Sequence, residues 1–260
     1  SWQKGLDFCS RGQWEEAVVC YSKAIALDPH RGRCLLDQEL FCEALEAFTR
    51  AAELRPGCRA LRRGSIACLA ALNKFPECLQ TLDRDVEEDA RNPDLYVLRA
   101  SFHERFGRLA LCHQDLARAL ALEPQHGAAQ ALKQRLRRRG REAKAEAVSK
   151  ALSGDLQGAL LKISFAVESD PSAADLLILR GTLLRRLKSF RAAREDLARA
   201  RVLAAEGGPE ARDAQRQLVL THNDCAVRCY ALGLFEEAVA LLDAALRDEK
   251  HEEGLYVNRG

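Results

Sequence analysis

Small and apolar residues recur about every 34 residues along this chain, and that period constrains the fold more than any other feature. The clearest copies are 12–17 and 233–238, which both read Gly-x-aromatic-Glu-Glu-Ala. A unit of this length forms two antiparallel helices that cannot bury their apolar faces alone. Stacked units share a continuous core and expose an extended surface, so the period predicts an all-α solenoid whose function is binding.

The composition agrees with a helical chain of this kind. Hydrophobic residues make up 47% and charged residues 30% of the 260 residues, with only 16 Gly and 7 Pro. No apolar run approaches the ~20 residues of a membrane span, and the polar start is not a signal peptide, so we expect a soluble, intracellular protein. The ten cysteines then read as reduced, small hydrophobic residues. A formal net charge of +2 does not predict a polyanionic partner for the chain as a whole.

The periodic residues resemble the tetratricopeptide repeat (TPR) superfamily. That family has small residues at repeat positions 8, 20 and 27, apolar or aromatic residues at 11, 17 and 24, and Pro at 32. The first repeat matches with Gly5, Phe8, Trp14, Ala17, Tyr21, Ala24 and Pro29, and the sixth with Gly181, Leu184, Phe190, Ala193, Leu197 and Ala200. The resemblance implies an α-solenoid of about seven stacked helix-turn-helix repeats plus the start of an eighth.

Departures from the period predict the domain organisation. Pro29 and Pro56 are 27 residues apart, which is seven short of one period, so we expect a break between His30 and Arg31 where seven residues, or seven plus whole periods, are missing. After Pro124 the chain has an excess of about thirteen residues. These spacings predict a first block at 1–131, a basic connector helix at 132–142 and a second block at 143–260. The last repeat stops within a helix, so a longer protein is expected.

Three smaller irregularities lie inside the blocks. Asp85 stands at the normally small position 27 and predicts a looser third repeat. His103 replaces the aromatic residue usual at position 11 of the fourth repeat. Residues 204–214 exceed the period by about eleven residues and read as a lengthened turn before the seventh repeat.

The resemblance also implies where a partner binds, because positions 2, 5, 9 and 12 of each first helix line the concave wall in this family. Apolar wall residues such as Val97, Ile178, Val227 and Tyr230 are not needed for packing within their own repeats, so we expect them to be exposed until a partner covers them. The predicted partner-binding residues are Val97, Ser101, Glu104, Asp175, Ile178, Thr182, Arg185, Asn223, Val227 and Tyr230.

A basic run follows the first block and consists of Arg135, Arg137, Arg138, Arg139 and Arg141. It has three interpretations: a solvated connector helix, which we favour, a contact for an acidic protein surface such as a tubulin tail, or a nuclear-import or nucleic-acid patch. No aromatic residues for base stacking are interleaved with it, which weakens the last interpretation.

Other chemistry has little support in the sequence. His222, Cys225 and Cys229 share one helix face at zinc-ligand spacing, but a fourth ligand is missing nearby, and both cysteines fall at positions that the repeat buries. Residues 207–209 lack the strand and the Lys of a phosphate loop. Residues 2 and 6 do not match the clamp that some family members use for chaperone tails. We therefore predict no enzyme, no metal and no cofactor.

The sequence thus predicts a protein-protein interaction scaffold within a larger assembly. The irregular spacing and Arg-rich composition resemble cilium- and sperm-associated members of the family, which extends the expectation to a cytoplasmic, ciliary or axonemal setting. The alternative is a nucleic-acid-associated or nuclear adaptor that uses the basic run.

Overall fold

The computed structural model describes residues 4, 19–20, 23–25, 41–54, 58–248 and 253–260. Within these ranges the regular structure is entirely α-helical, as the period predicts. The helices are α1 (Phe41–Leu54), α2 (Arg59–Ala71), α3 (Phe75–Glu88), α4 (Pro93–Arg105), α5 (Leu109–Leu122), α6 (Gly127–Leu152), α7 (Leu156–Ser169), α8 (Ala174–Arg186), α9 (Phe190–Leu203), α10 (Pro209–Ala231), α11 (Phe235–Asp248) and α12 (Glu253–Arg259). No described helix combines the length and hydrophobicity that crossing a membrane requires.

Consecutive helices pair as helix-turn-helix repeats. The pairs α2–α3, α4–α5, α8–α9 and α10–α11 form the third, fourth, sixth and seventh repeats. Each first helix ends at repeat position 15 in the left-handed region, with φ from +58° to +87°, at Asn73, Gly107, Gly154, Lys188 and Gly233. The next N–H then donates to the carbonyl five residues earlier, as from Arg108 to His103 at 2.8 Å. This helix end reverses the chain at the same point in every described repeat.

The chain divides into two compact halves, residues 1–129 and residues 130–260, which we call the N-terminal and C-terminal halves. A buried cluster of the N-terminal half includes Ala44, Phe48 and Leu61. The C-terminal half has a larger cluster around Ile163, Leu177 and Leu197 and a smaller one that joins Ala226 to Leu242. Apart from Leu61 and Leu177, these buried residues lie at repeat positions 8, 20 or 24, where the family places packing residues.

The tight contact inside the sixth repeat confirms the assigned register. Gly181 and Ala193 are both buried between α8 and α9. A Cβ placed on Gly181 would lie 2.7 Å from Cγ of Leu197 and 3.3 Å from the carbonyl oxygen of Ala193. Only a residue without a side chain allows the two helices to approach this closely.

Ion pairs between repeat positions 7 and 23 also join the two helices of a repeat. Arg180 makes a two-pronged pair with the buried Asp196, with N–O distances of 2.6 and 2.7 Å. Arg99 holds Asp115 in the same way at 2.6 and 2.9 Å. The fifth repeat has the reverse polarity, with Glu146 and Lys162 2.6 Å apart. All three pairs are sixteen residues apart, a spacing that could have revealed them in the sequence.

The third repeat accommodates Asp85 through a charged partner. Arg62, at position 4, lies 2.9 Å from this buried carboxylate and also pairs with Glu88. In the fourth repeat the same positions hold Tyr96 and Ala119, both buried. An ion pair therefore replaces the usual packing of an aromatic side chain on a small one.

Both surplus segments lengthen the first helix of a repeat. Helix α6 starts at Gly127, thirteen residues before its repeat begins, so the predicted connector 132–142 lies inside one continuous helix. The lengthened turn expected at 204–214 is wrong, because α10 starts at Pro209 and only residues 204–208 form the loop. Pro is favourable at a helix start, and Ala211, Ala214 and Gln215 are good helix formers, so the insertion adds helical turns. The predicted break between His30 and Arg31 lies outside the described residues.

Candidate functional site

The predicted wall residues have unequal exposure. Val97 and Ile178, at position 5 of the fourth and sixth repeats, are only 9% and 7% exposed, so the expectation that they are free for a partner is wrong. Ile178 belongs to the larger core cluster of the C-terminal half, because α8 packs against α10 of the next repeat as well as against α9. Packing against the next repeat therefore helps to bury Ile178, which packing within its own repeat leaves uncovered.

Polar wall residues of the fourth to sixth repeats are engaged within the chain. The hydroxyls of Ser101 and Thr182 each donate to a carbonyl one turn earlier, both at 2.9 Å. Lys144 Nζ lies 2.5 Å from the carboxylate of Asp175. Arg185 donates to Asp224 at 2.7 Å and thus links α8 to α10. Glu104 is half-buried and has an interaction of its own.

The seventh repeat presents an open apolar wall. Val227 is 51% and Tyr230 66% exposed, as expected from the sequence. Tyr230 packs edge-on against Phe235, with ring centroids 5.3 Å apart. Further large apolar side chains are exposed nearby in sequence at Leu232, Leu234, Phe235 and Val239. Apolar groups grouped in this way mark interaction sites on folded proteins.

A groove runs between α10 and α12 beside this wall. It is lined by Arg216, Val219, Leu220, Asn223, Gly254, Leu255 and Asn258. The amide of Asn258 donates to the Oδ1 of Asn223 at 2.7 Å, so each side chain keeps further hydrogen-bonding capacity. Val219 and Leu255 form a buried apolar floor, whereas Asn258 is exposed at the rim. Such a groove can hold an apolar side chain and hydrogen-bond a peptide backbone.

The N-terminal half has a comparable groove between α2 and α4. It is lined by Arg63, Ile66, Ala67, Asp94, Val97, Leu98, Ser101 and Phe102. Arg63 and Asp94 are 3.9 Å apart at its rim, and both side chains are more than half exposed. An exposed pair at this distance contributes little stability and can open for a ligand.

Most arginines of the basic run have contacts within the C-terminal half. Arg137 pairs with Asp170 at 3.3 Å, and Arg138 lies 3.9 Å from Glu142. The guanidinium of Arg139 lies over the ring of Phe165, 5.4 Å from its centroid. Arg135 is also engaged. These contacts fit the favoured interpretation as a connector helix better than a row of free cations.

Burial also shifts the pKa values of two cysteines and one histidine. Burial raises the pKa of the Cys225 thiol and raises that of Cys68 to about 12, so both thiols stay protonated near neutral pH. Burial lowers the pKa of His103, which lies 3.7 Å from Asp115. Among the described side chains, no group of three or more could hold a metal ion.

Sequence reasoning missed His126. Its Nδ1 accepts from the N–H of Ala129 in the first turn of α6, and its Nε2 lies 3.1 Å from Asp94. The imidazole thus satisfies a helix N-terminus and orients a carboxylate at the rim of the α2–α4 groove. A Glu-Pro-Gln-His segment before a helix carries no preferred capping residue, so the sequence provided no signal for this role.

Comparisons with known proteins find the same repeat family. Family profiles described as "TPR repeat" and "Tetratricopeptide repeat" match residues 5–30 and 35–102. The chain is 41% identical to tetratricopeptide repeat protein 16 of Homo sapiens over 313 aligned positions, which cover 99% of this chain and 36% of that protein. The Mus musculus protein of that name is 38% identical over 231 positions, covering 88% of this chain and 30% of that protein. The chain thus spans about a third of the curated relatives it matches.

Solved structures of repeat proteins also resemble this chain. The P58(IPK) TPR domain has a TM-score of 0.38 at 18% identity, covering 88% of this chain and 62% of that one. A tetratricopeptide repeat protein from Parabacteroides merdae has a TM-score of 0.37 at 13% identity, covering 99% and 95%. The repeated helix pairs, the position-15 turns and the 41% identity over nearly the whole chain lead to one assignment. The chain belongs to the tetratricopeptide repeat superfamily.

Proposed function

We propose that this chain is a protein-binding scaffold whose partner docks on the concave wall of the seventh repeat. The exposure of Val227 and Tyr230 is the observation that carries the proposal. The equivalent positions of the sixth repeat hold Thr182 and Arg185, which are hydrogen-bonded within the chain. Exposure of large apolar side chains to water is unfavourable, and a bound partner removes that exposure.

The wall and its groove supply two kinds of contact. Val227 and Tyr230 offer apolar area, and Tyr is enriched at interfaces because it combines a large ring with a hydroxyl. The amide pair of Asn223 and Asn258 offers hydrogen bonds to a peptide backbone. An extended or helical segment of another protein fits this combination.

Aspartate substitutions at the exposed wall test the proposal. Because Ile178 is buried, the test variant combines Val227→Asp and Tyr230→Asp, which should keep the fold while removing the apolar contact. The control is Leu161→Asp, which changes an apolar residue that is 75% exposed on α7, the second helix of its repeat. Partner capture from ciliated tissue, compared by quantitative mass spectrometry, should fall at least tenfold for the wall variant only. Capture at wild-type strength by the wall variant would rule out this surface.

The setting in a cilium or axoneme rests on the family resemblance alone. Tagged chain expressed in multiciliated epithelial cells should concentrate along the axoneme, and the wall variant should lose that enrichment. A uniform cytoplasmic or nuclear distribution of the wild-type chain would contradict this setting.

A further inference from the structure

A second cleft lies where the seventh repeat departs from the family period. The last turn of α9, the loop after it and the first two turns of α10 enclose it. Its lining is Arg201, Val202, Ala204, Glu206, Gly207, Ala211, Arg212, Gln215 and Arg216. The ten residues of α10 before its repeat begins supply four of these side chains, so the insertion itself builds the cleft.

The cleft has an excess of positive charge. Three arginines line it, and Glu206 is the one carboxylate among its lining residues. Arg201 donates to the neutral Gln215 at 2.7 Å. Neither Arg212 nor Arg216 forms an ion pair with any residue that the structure describes. Two exposed guanidinium groups therefore remain for an external anion.

Other cations on this side of the C-terminal half differ in this respect. Lys144 pairs with Asp175, Arg185 with Asp224 and Arg259 with Asp243. These three cations are thus balanced by carboxylates within the chain. The unbalanced pair lies on the inserted turns of α10.

The unbalanced pair continues directly into the apolar groove. Arg212 and Arg216 line the cleft, while Arg216 and Leu220 line the groove between α10 and α12. The three residues are spaced four apart and so form one stripe along α10, with a rise of about 6 Å per step. Alternate side chains of an extended peptide are about 6.7 Å apart on one face. Each step of the stripe therefore corresponds to two residues of an extended peptide.

We propose that this stripe selects partner segments in which two acidic residues alternate with an apolar one, as in acid-x-acid-x-apolar. The inference rests on the proposed function, because it names the chemistry of the segment that the wall receives. Arg212 and Arg216 each take a carboxylate, Leu220 and the groove floor take the apolar side chain, and Asn223 with Asn258 binds the backbone. Two carboxylates about 6.7 Å apart on one face of an extended peptide can each pair with one of two arginines about 6 Å apart.

Selection from a random 12-residue peptide library displayed on phage tests the inference with the full 260-residue chain. Wild-type protein should enrich the acid-x-acid-x-apolar pattern. The Arg212→Glu/Arg216→Glu variant should lose the acidic preference and keep the apolar one. Enrichment of apolar peptides without acidic residues by the wild type would overturn the inference while leaving the proposed function intact. Absence of any enrichment would contradict both.

The affinity of one selected peptide for single-arginine variants tests which arginine contacts the peptide. By fluorescence anisotropy, Arg216→Glu should weaken binding at least tenfold, whereas the matched control Arg228→Glu, with the same charge change on the same helix, should stay within twofold. Replacing one peptide Glu by Gln should also weaken the wild-type complex. If phosphoserine in place of that Glu binds more than tenfold tighter, the site is a phosphate site and the assignment to carboxylates is wrong.

Discussion

The first helices of the sixth and seventh repeats, α8 and α10, occupy equivalent places in their repeats. They differ in which wall residues are buried and which are exposed. Position 5 is the buried Ile178 in α8 and the half-buried Asn223 in α10. Positions 9 and 12 are Thr182 and Arg185 in the first, but the exposed Val227 and Tyr230 in the second. In α8 the apolar wall residue is buried and the polar wall residues are hydrogen-bonded. In α10 the apolar wall residues are exposed to solvent. The exposure of equivalent wall positions therefore differs between repeats.

The largest expected difference in the free energy of unfolding comes from placing an aspartate on each of the two walls. Ile178→Asp should lower the free energy of unfolding by about 4 kcal/mol or more, because it removes buried apolar area and leaves a carboxylate without a partner. Val227→Asp should change it by less than about 1 kcal/mol, because that side chain is half exposed. Urea denaturation followed by circular dichroism measures both. Equal losses would show that the two walls do not differ.

Overpacking the helix contact inside each repeat should have an effect nearly as large. Gly181→Leu should cost about 3 kcal/mol, since even an added Cβ would lie 2.7 Å from Cγ of Leu197. Ala226→Leu, at the same position of the seventh repeat, should cost a similar amount because Ala226 is equally buried. Gly127→Leu, where an added Cβ meets open space, is the control. A loss confined to Gly181→Leu would mean that the repeats also differ in their internal packing.

The ion pair at positions 7 and 23 distinguishes the two repeats at their helix interface. Asp196→Ala should cost about 2 kcal/mol, because it leaves the partly buried Arg180 without its carboxylate. The seventh repeat has Cys225 and Leu241 at those positions. The double variant Arg180→Leu/Asp196→Ala, which imitates that apolar arrangement, should recover some of the loss in the same denaturation assay. A double variant less stable than Asp196→Ala alone would contradict this account.

The link between the two repeats should have the smallest effect. Arg185→Ala removes the bond to Asp224, and with Asp224 39% exposed the expected loss is about 1 kcal/mol or less. A double-mutant cycle with Asp224→Ala measures the coupling directly, and added salt should reduce it. Zero coupling at low salt would show that the pair does not hold α8 against α10.

Contacts within one repeat could be predicted from the sequence. Gly181 and Ala193 meet as expected because helical periodicity and a turn of set length bring repeat positions 8 and 20 together. The same periodicity brings together the charged residues that are sixteen positions apart. Helix pairing, register and the left-handed turn at position 15 all depend on residues less than one period apart.

The exposure of the wall was decided only by the tertiary structure. Ile178 is buried by packing of α8 on its neighbours, and Arg185 is bonded to a residue 39 positions away, more than one period further along the chain. Residues 209–214, which were expected to belong to a turn, are helical, and this helix places Arg212 and Arg216 in one stripe with Leu220. The repeat pattern specifies how two helices pack within a repeat, but it does not specify how an inserted turn or the next repeat covers them. For that reason the sequence determined the solenoid, and the packing between repeats decided which surface of it is open to a partner.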